Sequence, residues 1–133
     1  MIVVDSSVWV DYFNGAITRQ TDFLDDVLGV EPIATGDLIL VEVLQGFRSD
    51  AGYHKVKSLL LDMPAYEMIG VERAVRAAEN HRHLRARGVT IRKTIDTLIA
   101  TFCIDRKLPL LFSDRDFEPF VQHLDLRPAL PAA

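Results

Sequence analysis

Short apolar runs alternate along the chain with longer stretches in which apolar and polar positions recur at helical spacing. Residues 2–5 read as a short buried strand that ends at Asp5. Pro32 to Thr35, Tyr66 to Ile69, Leu110 to Phe112 and Leu124 to Leu126 are further strand candidates. Ser6 to Asn14 reads as a short helix stopped by Gly15, and Thr18 to Leu28 as a second stopped by Gly29. Asp37 is placed to cap a helix running to about Phe47. Tyr53 to Asp62 forms another, closed by Pro64, and Val71 to Arg87 a long amphipathic one ending at Gly88. Thr94 is placed to cap a helix to about Asp105. Strands separated by helices predict one α/β sandwich with a mainly parallel sheet over residues 1–133, with 128–133 as a loosely held tail.

Four acidic residues break this pattern. Asp5 and Asp114 each follow an apolar strand, and Glu42 and Asp96 fall in the first or second turn of a predicted helix among apolar neighbours. In parallel sheets ligands gather outside the carboxyl ends of the strands, where Asp5 and Asp114 stand. Each acid also has an ordinary explanation. Asp5 would cap a helix, Asp96 would suit a helix dipole, and Asp114 would start a turn. Glu42 is harder to explain that way, because its helical neighbours Leu38, Ile39, Gln45 and Gly46 form an apolar or small face. Buried carboxylates are costly unless something offsets their charge. Four together point to one shared divalent cation, with Asp116 or Glu118 as a possible fifth acid. Hard cations such as Mg²⁺ or Mn²⁺ prefer carboxylate oxygens, and they activate water and neutralise phosphate in phosphodiester hydrolysis. The histidines at 54, 81, 83 and 123 show no zinc spacing.

Composition narrows the classes. The chain has 133 residues, 49% hydrophobic and 26% charged, the profile of one soluble globular domain. No apolar run is long enough to span a membrane. The start of the chain lacks the basic segment and cleavage site of a signal peptide, so none is expected, and a cytoplasmic location is. The lone Cys103 lies on an apolar helical stripe and reads as a core residue outside any disulfide framework. A net charge of −4 argues against nucleic acid when taken alone. Its distribution argues otherwise. Seven of the fifteen basic residues fall between Arg73 and Lys93. Arg82, Arg85, Arg87, Arg92 and Lys93, with Arg48 and Arg115 beside two of the acids, are candidates for RNA phosphate contacts; the bland alternative is a solvated helix face with local ion pairs. Trp9, Tyr12 and Phe13 suit either a dimer surface or the core.

Four blocks in order carry a family resemblance: Ile2-Val3-Val4-Asp5-Ser6-Ser7-Val8-Trp9, then Leu38 to Arg48 with Glu42 and Gly46-Phe47-Arg48, then Thr94-Ile95-Asp96-Thr97-Leu98-Ile99-Ala100, then Leu111-Phe112-Ser113-Asp114-Arg115-Asp116-Phe117. Over nearly its whole length the chain resembles the PIN-domain nucleases, and in particular the VapC-type toxins of bacterial toxin–antitoxin modules. The resemblance implies a three-layer α/β/α sandwich and a Mg²⁺- or Mn²⁺-dependent endoribonuclease acting on transfer or ribosomal RNA. It implies metal ligation by Asp5, Glu42, Asp96 and Asp114, with Asp116 at a second metal position and Ser6 and Thr94 orienting the ligands. It also implies a homodimer neutralised by a VapB-type antitoxin, whose C-terminal segment offers a basic side chain to the carboxylates. A response-regulator receiver would need an acidic pair where Ser6-Ser7 follow Asp5. A haloacid-dehalogenase-type phosphatase would need an aspartate at Ser7. A non-catalytic PIN scaffold that binds RNA or protein remains the alternative to the enzyme.

Overall fold

The computed structural model describes residues 1–131. Its centre is β1 (Ile2–Val4), three apolar residues buried throughout, the pattern of a strand covered on both faces. β1 pairs in parallel with β2 (Ile33–Gly36) on one side, Ile2 opposite Ile33, and with β4 (Leu110–Leu111) on the other, Val4 opposite Leu111. β3 (Ala65–Tyr66) extends the sheet beyond β2, giving the order β3-β2-β1-β4. The chain therefore steps outward from β1 through β2 and β3, then returns to the opposite side of β1. The crevice where strand order reverses lies between the carboxyl ends of β1 and β4, the usual ligand position in such sheets.

Seven α-helices flank the sheet among the described residues, as the α/β reading expected. They are α1 (Ser6–Phe13), α2 (Arg19–Val27), α3 (Asp37–Leu44), α4 (Asp50–Leu61), α5 (Val71–Ala86), α6 (Thr94–Arg106) and α7 (Glu118–His123). α6 is the most enclosed: Ile99, Ala100, Phe102 and Cys103 all lie in the core. Trp9 is fully buried and stacks on Phe13 at 5.5 Å, while Tyr12 donates to Asp25 at 2.9 Å. Trp9 is thus core packing and offers nothing to a dimer surface, while Tyr12 and Phe13 are half-buried against the core. Gly88, just past α5, takes φ +81°, the left-handed conformation that ends a helix most cheaply with glycine.

Several local expectations differ. Asp37 is the first residue of α3, not its cap; its Oδ1 accepts from the Leu38 amide at 2.8 Å and the Met68 amide at 3.0 Å, so it ties α3 to the segment after β3. Lys93 holds the cap position of α6, and Thr94 is already helical. The 3₁₀ turn Arg115–Phe117 and α7 were not anticipated, because short turns buried on Phe117 and Phe120 carry too few residues for a periodic signal. Leu124 to Leu126 forms no strand. Within the tail, residues 128–131 are tied to the fold by hydrogen bonds. The Leu110 amide donates to the Arg127 carbonyl, the Ala129 amide donates back to Leu110, and Arg19 donates to the Pro131 carbonyl, each at 2.9 Å. Residues 132 and 133 lie outside the described residues.

Gly36 closes β2 against the fully buried Met68, whose Cγ would lie 2.6 Å from an added methyl. Gly36→Ala is expected to cost about 1–3 kcal/mol in urea denaturation, the scale of overpacking. That cost should shrink in a Met68→Ala background if the two side chains compete for one space. An equal cost in both backgrounds would count against it.

Candidate metal centre

The parallel sheet aims two chain segments at one edge, and a helix brings a third. Asp5 follows β1 and caps α1: its Oδ2 accepts from the Ser7 amide at 3.3 Å and the Ser7 hydroxyl at 2.6 Å. Capping is therefore real, but it uses only one oxygen. Oδ1 is buried and has no hydrogen-bond partner among the described residues. Asp114 follows β4 and caps the 3₁₀ turn, accepting from the Asp116 amide at 2.9 Å. That bond folds the turn back so that Asp116 joins Asp114. Asp96 arrives from the side, in the first turn of α6, and one of its oxygens is likewise buried and unpartnered.

Asp96, Asp114 and Asp116 offer oxygens that all lie within 4.8 Å of one another. Asp5 and Glu42 flank this triad. Burial raises the pKa of Asp5 despite the Ser7 bonds, and the charge of Glu42 adds to the effect. Asp96 is pushed up to about 7, first by burial, then by the charges of Asp5, Asp114 and Glu42, with Lys93 opposing. Glu42 is half-buried on α3, and Ser6 donates to its Oε1 at 2.9 Å. The structure thus brings Asp5, Glu42, Asp96, Asp114 and Asp116 into one electrostatic group from separate parts of the chain. Two buried oxygens without donors, on Asp5 and Asp96, in a crevice where three further carboxylates converge, suit a hard divalent cation.

Ser6 is set to orient Glu42. Thr94 has no such contact: it is exposed, makes no side-chain hydrogen bond among the described residues, and faces a groove between α5 and α6. Ser7, which sequence reasoning passed over, is the residue that holds Asp5; the signal was the hydroxyl two positions after a capping acid. Burial pushes the Cys103 thiol up, with the charge of Asp5 acting in the same direction, so it stays an inert core residue.

The basic stretch divides in two. Arg73 and Arg76 both engage Asp105, at 3.1 and 2.6 Å, so the local ion-pair alternative holds for them. Arg48, Arg82, Arg85, Arg87, Arg92, Lys93 and Arg115 are exposed and form no ion pair among the described residues. Lys93 stands at the start of α6 and Arg115 directly follows Asp114, so these two are beside the acids. Arg48 is in the loop after α3, and Arg82, Arg85 and Arg87 belong to the last turns of α5 and its cap.

With this geometry in view, three comparisons place the chain. The family model described as PIN domain matches residues 2–120. A curated relative, Ribonuclease VapC11 of Mycobacterium tuberculosis, is 28% identical over 97% of this chain and 98% of its own. Among solved structures, VapBC2 from Rickettsia felis, bound to a DNA fragment of its promoter, superposes with a TM-score of 0.72 at 18% identity, covering 96% of this chain and 97% of that one. Mycobacterium tuberculosis VapC20, a Sarcin-Ricin loop cleaving toxin, does so with a TM-score of 0.68 at 16% identity, over 96% of this chain and 100% of that one.

The raised pKa of Asp96 has a stability consequence. The folded state binds that proton more tightly than the unfolded chain, so its contribution is complete below pH 3.8 and is lost as pH rises through about 7. In metal-free protein at pH 8, Asp96→Asn is expected to raise Tm by a few degrees, with the gain fading toward pH 4. A lower Tm at pH 8 would mean that the acids do not repel as the geometry requires.

Proposed function

The chain belongs to the PIN-domain family, and we propose that it is a divalent-metal-dependent endoribonuclease toxin. The observation that carries this reading is the convergence of five carboxylates, two of them with buried unpaired oxygens, at the strand-order reversal of the sheet. Asp5, Glu42, Asp96, Asp114 and Asp116 would hold Mg²⁺ or Mn²⁺. When bound, the cation supplies an acidified water and charge neutralisation for an RNA phosphodiester.

The remaining work falls to the chain itself. Ser7 and Ser6 fix the Asp5 and Glu42 carboxylates, which keeps the cluster preorganised while its charges repel. Lys93 and Arg115 sit where an incoming phosphate would meet positive charge beside the acids, and Arg48, Arg82, Arg85, Arg87 and Arg92 extend that field to the rest of the RNA. The cluster is open to a single strand because Glu42, Asp114 and Asp116 are only half-buried.

The curated relatives are ribonucleases, and the neighbouring solved structures include toxin–antitoxin complexes. By that analogy the chain acts in the cytoplasm as a homodimer and is silenced by a VapB-type antitoxin that places a basic side chain among the carboxylates. Among the described residues no helix is long and apolar enough to cross a membrane. A PIN scaffold without catalysis is the competing reading, and a single assay separates the two.

Incubated with total RNA and Mg²⁺ or Mn²⁺, the wild type should produce discrete fragments. EDTA should abolish them, and Asp96→Asn should slow them at least about a hundredfold, the scale of losing one preorganised electrostatic group. Cleavage that survives both treatments would sink the metal-site reading; folded, antitoxin-free protein that cuts nothing would favour the scaffold. Metal affinity should also follow Asp96. A proton and the cation compete for a group that titrates near 7, so calorimetry at pH 6 should give binding about tenfold weaker than at pH 8. Equal affinities at the two values would remove Asp96 from the ligand set.

A further inference from the structure

Across α6 from the acidic cluster, between α5 and the start of α6, lies a groove of about 430 Å³, within the roughly 300–1,000 Å³ range of small-ligand sites. We propose that this groove binds a nucleobase of the RNA, next to the nucleotide held at the carboxylates. The proposal rests on the nuclease reading and deepens it.

The walls suit a flat ring. Ala74, Ala78 and Leu98 line the groove, and alanine side chains allow close approach to the α5 backbone. His81 adds an aromatic face. Its Nε2 lies 3.3 Å from the Ile91 carbonyl, which can only accept, so that nitrogen donates and the ring is held in place. Unstacked RNA bases are bound in this way, against imidazole or guanidinium planes.

The groove also contains a polar group awaiting a partner. Thr97 is 2% exposed, and its hydroxyl is buried without a hydrogen bond among the described residues. An unpaired buried hydroxyl is destabilising until a partner reaches it. Threonine in a helix divides between two χ1 rotamers that point the hydroxyl in different directions. Thr97 lines the groove, where the edge of a base would offer its hydroxyl both donors and acceptors.

Charge selects RNA as the occupant. Arg82 and Arg85 line the groove and are exposed without ion pairs among the described residues, so sugar-phosphate flanking the base would meet cations. The path to the acids is short. Thr94, Thr97 and Leu98 share one face of α6 at i, i+3, i+4 spacing, and Asp96 lies on the opposite face of the same turn. The two sites are thus separated by the width of one helix, about 10–12 Å. A strand joining them passes over the amino end of α6, where Lys93 and free backbone amides favour phosphate.

The test uses fluorescein-labelled short RNA homopolymers and an abasic ribose-phosphate oligomer of equal length, with anisotropy read at low ionic strength in EDTA. Wild type should bind at least one homopolymer roughly five- to hundredfold tighter than the abasic chain, the range of one stacked base. Ala78→Leu fills the groove at an exposed position and should remove most of that difference; Ala74→Leu is a second filling variant. Thr97→Val should change the ranking of the four homopolymers. No preference for bases in wild type, or a preference unchanged in both filling variants, would overturn the subsite. Base preference kept by Ala78→Leu while it loses binding to a peptide of the antitoxin's C-terminal segment would assign the groove to the antitoxin and overturn it equally. The nuclease reading is judged separately, by metal-dependent cleavage with wild type. If cleavage persists while base preference ignores the groove, only the subsite falls.

Discussion

Repulsion among carboxylates in a poorly hydrated crevice is the constraint on which the rest of this structure depends. Full charges at 4.8 Å repel by roughly 3–4 kcal/mol at an effective dielectric near 20. Asp5 and Asp96 are also 3% and 5% exposed, so water cannot absorb the cost. The protein tolerates the arrangement by leaving Asp96 protonated until about neutral pH and by giving Asp5 two donors from Ser7. Neither device satisfies the remaining buried oxygens. A bound cation would, and this is why we propose a binding site for a cluster that costs stability in isolation.

The fold holds these groups together through its most rigid parts. β1 is locked between β2 and β4, so Asp5 and Asp114 emerge side by side from neighbouring strand ends. Asp96 is fixed by α6, whose inner face is buried from Thr97 to Cys103. Glu42, half-buried on α3, is steadied by Ser6. The arginines proposed to meet RNA phosphates are exposed, outside this rigid frame.

Much of this was legible before any coordinates. β1 and β4, the parallel α/β class and the long α5 follow from runs of apolar residues and from Gly88 as a stop. Asp5, Glu42, Asp96 and Asp114 stood out because each carboxylate sat where an apolar residue belonged. Errors concentrated at short-range features. Asp37 and Thr94 have the residue types of helix caps, yet Gly36 and Lys93 occupy those positions, because Asp37 is drawn to the Met68 amide and Thr94 already belongs to the helix. The turn at 115–117 and α7 span too few residues for periodicity to register. The tail looked loose by composition, but it is pinned by backbone bonds to Leu110 that no composition encodes.

What the sequence alone determined is the set of elements and the chemical character of the site: apolar period sets strand or helix, and an acid out of place in that period signals a charge needing compensation. Only the tertiary structure decided which acids share space. Asp116 enters the triad through a backbone bond to Asp114, and Thr94 is turned away by the rotation of its helix. The separation of Arg73 and Arg76 from the free arginines likewise depends on where Asp105 stands after α5 and α6 pack. Distances between segments far apart in the chain arise from packing, and a one-dimensional pattern does not contain them.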